Sequence, residues 1–340
     1  MNNLPAFVSP LNDLAVIEIS GPDAVSFMQS QLTQDVASLT PDHAVLAGYC
    51  SPKGRLLGTM VLWSTPKPDD TPCLCALVKA DIAESLVKRL SMFVLRAQAK
   101  LAIANLSVWG LVLPTQALEP FPLESFADAG ITSAAGQLYA AIELLPVQPA
   151  PYSCIHTDTG LWIAAPSTTD SPTRWWHISH IINPEAQADQ GWWNAADIAA
   201  GLPWITSTIQ DLFIPQTLNL ELLQGVSFTK GCYPGQEVVA RSHYRGTVKR
   251  RMAYGVVAAT DAIDLGTPEE LAGRDIYDAK QAEHPCGRIV NAALGHDDQM
   301  HLLLEVQLAD LGIADFRLGQ PTGAVITIRD LPYSIQATSA

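Results

Sequence analysis

Cys232 sits in the run KGCYPGQEVVAR, flanked by Lys230, two glycines and a proline. Gly231 and Gly235 permit tight backbone turns, Pro234 suits the first position of a helix, and the residues from Gly235 to Arg241 are fair helix formers. A thiol just before a helix N-terminus faces unpaired amide N–H groups and the positive end of the helix dipole. With Lys230 alongside, these make a thiolate available at neutral pH, while Glu237 acts against them. The plain alternative is a half-buried cysteine in a turn whose glycines serve only folding, because free cysteines are commonly packing material.

Residues 228–251 also hold six of the chain's twenty Lys and Arg against one acidic residue, Glu237, in a protein of formal net charge −14. Arg241 and Arg245 are four apart and share a face if the helix reaches that far, so both can meet one carboxylate or phosphate. A solvated basic face is the usual meaning of such a run. A pI near 4.8 argues against wholesale coating of nucleic acid, which needs a sustained basic surface.

Eight tryptophans include the pairs Trp175-Trp176 and Trp192-Trp193. On a helix, adjacent residues point in different directions, so one of Trp192 and Trp193 can pack inward while the other walls a cleft suited to a flat heteroaromatic ligand. His177 and His180 in HISH have a zinc-like i, i+3 spacing, but no C-x-x-C or HExxH accompanies them, and no metal is expected. Cys73 and Cys75 of CLC are read as alternating faces of a strand and not converging. The chain has no GxGxxG, Walker A or GxSxG motif, which disfavours common nucleotide-dependent and serine-hydrolase classes.

The elements that must position these residues follow from periodicity. LAVIEIS (14–20) alternates as a strand, and GPDAVSFMQSQLTQDV turns helical with Val25, Met28 and Leu32 on one stripe. Two apolar runs around Ser51-Pro52-Lys53-Gly54 predict a hairpin, and PCLCALV a further strand. KADIAESLVKRLSMFVL places Ile82, Leu86, Leu90 and Phe93 at helical spacing, and AKLAIANLSVWGLVLP returns to strands. Strand, helix, hairpin, strand, helix, strand is the order of a ferredoxin-like α+β layer. Residues from about 115 to 180 carry weaker signals of a second, smaller α+β unit. NPEAQADQGWWNAADIAAG is a punctuated helix, with Asn183 as cap, Pro184 at its start and Gly201 past its end. Short apolar runs after Thr247, separated by turn residues, predict a small C-terminal β-barrel or sandwich. Three regions result: 1–114, a first α+β region interleaved with later segments; 115–246, a second carrying KGCYPGQE; and 247–340, the barrel.

The 340 residues exceed the size at which one core stops growing, and 48% hydrophobic with 16% charged residues is a globular composition. No secretory signal and no apolar run of roughly 18 uncharged residues is seen. Six scattered cysteines are not a disulfide framework. A cytoplasmic protein with reduced thiols and no membrane association is expected.

KGCYPGQE, together with GLPWI, FIPQTLNLELLQGVSF, ISGPDAVSFMQSQLTQDV and YCSPKGRLL, resembles the YgfZ family of folate-binding proteins, which are related in fold to the glycine cleavage T-protein (aminomethyltransferase). The resemblance covers most of 14–60 and 200–251. Its octapeptide signature is carried here by Lys230, Gly231, Cys232, Tyr233, Gly235, Gln236 and Glu237, with Pro234 where the family usually has Ser or Thr. The resemblance implies a three-lobed cloverleaf of two ferredoxin-like α+β lobes and a small β-barrel. It further implies tetrahydrofolate or a related folate as ligand, and support of iron–sulfur enzymes, including those that modify tRNA. An aromatic wall for the pterin falls on Trp193, while a second falls on Leu14, where the aromatic is lost. Cys232 then becomes the key thiol, with Arg241 and Arg245 holding an anionic tail or partner and tRNA reached indirectly. A folate-dependent one-carbon transferase and a direct tRNA-binding protein are the competing readings.

Overall fold

The computed structural model describes residues 7–65, 69, 71–113, 142, 144–168, 171–180, 190–244, 248–262 and 266–335. LAVIEIS forms strand β2 (Leu14–Ser20), after the short β1 (Phe7–Pro10). Helix α1 (Ala24–Gln29) follows and is shorter than its stripe predicts: Leu32 is buried beyond the helix end. β3 (Val45–Cys50) and β4 (Leu56–Ser64) form the expected hairpin, then come β5 (Cys73–Lys79), α2 (Ala80–Ser91) and β6 (Lys100–Ile103). The first sheet has the order β3-β4-β5-β2-β6 with every pair antiparallel. Apart from the added edge strand β3, this is the ferredoxin-like order. Ile82, Leu86 and Leu90 of α2 are buried, each contributing about 1.5–3 kcal/mol. The helix stops at Ser91, so Phe93, expected on the same stripe, stands 47% exposed.

β7 (Ser107–Leu113) leaves the first sheet for the second, with β8 (Cys154–Thr157), β9 (Gly160–Ala165) and β10 (Thr173–Ser179), in the order β1-β7-β10-β9-β8. Helix α3 (Gln190–Ala199) packs between this sheet and the C-terminal strands. Gly110 on β7 has no side chain because the Trp193 ring occupies that space: a Cβ there would lie 2.3 Å from Trp193 Cε3. Gly201 ends α3 at φ +70° as its C-terminal signal predicts. The expected cap and start, Asn183 and Pro184, lie outside the described residues.

Helix α4 (Gln236–Tyr244) leads into the C-terminal sheet of β11 (Arg250–Ala258), β12 (Asp275–Asp278), β13 (Gly287–Leu294), β14 (Gln299–Gln307), β15 (Phe316–Leu318) and β16 (Thr327–Arg329). Two short helices, α5 (Ala259–Ala262) and α6 (Pro268–Leu271), follow β11. The order β15-β12-β13-β14-β11-β16 leaves β15 and β16 as edges. They meet where Ile326 N–H donates to Phe316 C=O at 2.9 Å, which curls the sheet into the predicted barrel shape. Ile276, Ile289, Leu302, Leu304 and Phe316 fill it. A separate continuous core joins the two α+β sheets and the outer face of the barrel, through Trp176, Trp204, Met252 and Leu303 among others.

Candidate functional site

Cys232 lies on an exposed loop, and of the six cysteines it alone is exposed. Burial pushes the thiols of Cys50 and Cys154 up to about 12 and that of Cys286 to about 11. Gly231 is equally open, whereas Tyr233 is buried, its hydroxyl pushed above the usual range by burial. The loop is anchored by two glycines in left-handed conformation. Gly235 (φ +80°) presses on the hairpin turn so closely that a Cβ would stand 2.5 Å from the Ser51 carbonyl oxygen and 2.6 Å from Gly54 Cα. Gly54 (φ +72°) in turn leaves room for Val238, whose Cβ lies 2.7 Å from where its own Cβ would be. The two blocks of the resemblance, YCSPKG and CYPGQE, therefore interlock.

Two sequence expectations about this loop change. The helix begins at Gln236, not Pro234, because Gly235 takes a left-handed turn that no helix contains. Cys232 is therefore further from the helix N-terminus than predicted. Lys230 is turned inward rather than toward the thiol. Its Nζ donates to the carbonyls of Gln29, Leu32 (2.6 Å) and Gln34 (3.0 Å), closing the end of the α1 segment. Burial pushes this ammonium down to about 8, partly offset by Asp35. Glu237 is exposed, and Gln236 is half-buried.

The basic run resolves similarly. Arg251 is buried and pairs with Glu221 at 2.6 Å, and Arg250 pairs with Glu305 at 2.8 Å. Arg241 and Lys249 are exposed, while Arg245 lies outside the described residues. Three of the five described cations, Lys230, Arg250 and Arg251, thus serve internal structure.

A second feature lies where the first sheet, α3 and the barrel meet. A cavity of about 460 Å³ is bordered by Asp13, Lys79, Asn194, Trp204 and Thr206, with Ile198, Pro268 and Ala272 as apolar surface. Lys79 Nζ pairs with Asp13 Oδ2, to which Asn194 also donates at 3.0 Å. Three buried acceptor atoms here have no hydrogen-bond partner: Asp13 Oδ1, Asn194 Oδ1 and Thr206 Oγ1. Leaving such atoms unmatched costs about 1–3 kcal/mol each, which a ligand with N–H donors recovers. The Trp204 indole is fixed by its Nε1 donating to Asp197 at 2.9 Å and by paired bonds between its backbone and Asn291.

Trp193, the expected aromatic wall, is fully buried. It packs against Trp176, with the Arg174 guanidinium 4.7 Å above its ring, and Arg174 pairs with buried Asp197 at 2.7 Å. Leu14 is buried beside the cavity as the register partner of Lys79. Asp13, Lys79, Asn194 and Thr206 were not singled out from the sequence. Trp204 was in plain view in GLPWI, and Asp13 adjoins Leu14.

No family model matches the chain. Over 342 residues, covering 98% of this chain and 94% of the relative, it is 31% identical to the tRNA-modifying protein YgfZ of Klebsiella pneumoniae (strain 342). The chain belongs to the YgfZ family. A second YgfZ, from Edwardsiella ictaluri (strain 93-146), is 32% identical over 254 residues, covering 74% of this chain and 71% of the relative. The chain also superposes on the glycine cleavage system aminomethyltransferase T from Bartonella henselae with a TM-score of 0.60 at 15% identity, covering 99% of this chain and 88% of that one. That likeness establishes a shared fold. Within this YgfZ fold, the thiol loop and the cavity are separate features.

Proposed function

We propose that this protein is a folate-binding accessory factor in tRNA modification, acting through support of iron–sulfur enzymes. The observation that carries the folate reading is the cavity with three unmatched acceptors beside the fixed Trp204 indole. A reduced pterin presents several N–H donors on a flat ring, and its benzoyl group is apolar. Asp13, Asn194 and Thr206 supply the acceptors, Trp204 the flat wall, and Ile198, Pro268 and Ala272 the apolar surface. Lys79, paired with Asp13 and lying over the Trp204 ring, belongs to the pterin end of this arrangement. The names of the relatives support tRNA modification as the process. The exposed Cys232, held on a firmly anchored loop, is the group that meets the client enzyme. Internal engagement of three of the five described cations of the basic run favours an indirect route to tRNA over direct binding.

Titrating tetrahydrofolate against tryptophan fluorescence tests the ligand. Saturable quenching is expected, and Asp13→Asn weakens binding roughly tenfold or more, the worth of a hydrogen bond to a charged group. No saturable change in the folded wild-type protein refutes the folate reading. One-carbon transfer is the second reading, because the unmatched oxygen of Asp13 gives the cavity a group able to manage protons at a folate amine. Protein-dependent formation of methylene-tetrahydrofolate from an aminomethyl donor would put that reading first.

A further inference from the structure

The other end of strands β2 and β5 carries a donor cluster that neither the cavity nor Cys232 uses. CLC was read as pointing its cysteines to different faces, but strand residues two apart share a face, and the structure corrects the reading. Antiparallel register sets Glu18 opposite Cys75, with Cys73 two residues earlier. One carboxylate oxygen and two thiol sulfurs consequently lie within 4.8 Å of one another. Both cysteines are 4% exposed, whereas half-buried Glu18 lines an open cleft of about 550 Å³ with Asp69 and Lys100. The Thr65 hydroxyl donates to Cys75 Sγ at 3.6 Å, the kind of outer partner that orients a metal-binding sulfur.

We propose that Glu18, Cys73 and Cys75 bind one divalent transition-metal ion of the zinc class. Two sulfurs and one carboxylate oxygen are donors such an ion takes, whereas magnesium or calcium requires oxygen throughout. A tetrahedral shell with metal–sulfur bonds of about 2.3 Å sets the sulfurs about 3.8 Å apart, within reach of small side-chain rotations. Two thiol protons leave to solvent as the two metal–sulfur bonds form, and the cleft beside Glu18 is the entry path. Water from that cleft completes the shell as the fourth ligand. Cys75 is about 13 Å along the strand from Lys79, so the site is independent of the folate cavity.

The test is a cobalt titration of the full-length protein, reduced, chelator-treated and kept free of oxygen. One equivalent is expected to produce thiolate-to-cobalt charge-transfer absorption with the strong visible bands of a tetrahedral ion, both displaced by zinc. Cys73→Ala with Cys75→Ala abolishes the signal, Cys232→Ala leaves it, and Glu18→Gln weakens binding by at least the roughly tenfold that loss of even an outer partner costs. Absence of the charge-transfer signal from the wild-type protein overturns the proposal. So does a signal that survives the double variant and disappears in Cys232→Ala. If the double variant does not fold, as near-ultraviolet circular dichroism would reveal, undiminished affinity in Glu18→Gln overturns it instead.

Discussion

Cys232 differs from the other cysteines in where the chain leaves it. Five thiols are wholly or partly enclosed, and burial holds Cys50, Cys154 and Cys286 in the protonated, unreactive form. Iodoacetamide at neutral pH should therefore modify Cys232 at least about tenfold faster than Cys286, the next most accessible. Peptide mapping by mass spectrometry over a time course measures the ratio, and equal rates would contradict it. Because no packing is lost with an exposed side chain, Cys232→Ala should change stability by less than about 0.5 kcal/mol. It should nevertheless fail to complement a strain lacking the family member; full complementation would reduce the thiol to a bystander.

At the scale of elements, the octapeptide loop depends on a hairpin far away in sequence. Gly235→Ala places a Cβ into the Ser51 carbonyl at a positive φ, so a loss of about 2–3 kcal/mol is expected from the urea unfolding midpoint. A change under about 0.5 kcal/mol would show that the two turns part at no cost. Strand β10 makes a different prediction. His177 is buried against the Trp162 ring, 4.0 Å between centroids, and burial lowers its pKa to about 4. Its folded pKa lies below the unfolded value near 6.5, so its contribution is intact above pH 6.5 and erodes as pH falls toward 4. By pH 5 that loss is about 2 kcal/mol. His177→Gln, which keeps a donor for the Thr159 carbonyl, should flatten this part of the acid dependence in urea titrations at pH 7 and 5.

Strong periodicity makes the first sheet, α2, the hairpin and the C-terminal strands legible in the sequence alone. Helix ends were less so: a left-handed Gly235 moved the start of α4, and Phe93 fell outside α2. The thiol loop was found because glycine, proline and cysteine announce themselves locally. The cavity was not, since Asp13, Lys79, Asn194 and Trp204 come from three separate stretches and converge only through long-range packing. Periodicity also could not tell which of Trp192 and Trp193 faces inward; Gly110 on another strand decides it.

At the scale of the molecule, the cavity is bounded by the first sheet, α3 and the barrel, so a ligand bridges parts that otherwise meet along one shared core. Tetrahydrofolate at a hundred times its dissociation constant should stabilise the folded protein by about 2.7 kcal/mol, read as a rise in melting temperature. Asp13→Asn, binding roughly tenfold more weakly, should keep only about half of that rise at the same concentration, and an equal rise in both proteins would move the ligand elsewhere.

The interlock of Gly54 and Gly235 has a consequence for biosynthesis. These residues are about 180 apart in the chain, and a loop that long closes only after both ends have left the ribosome. The thiol loop thus acquires its anchored form late, when the hairpin is already in place to receive it. A nascent or truncated chain displays Cys232 on an untethered segment, and protease sensitivity around residues 230–235 becomes a clock for the last stage of maturation.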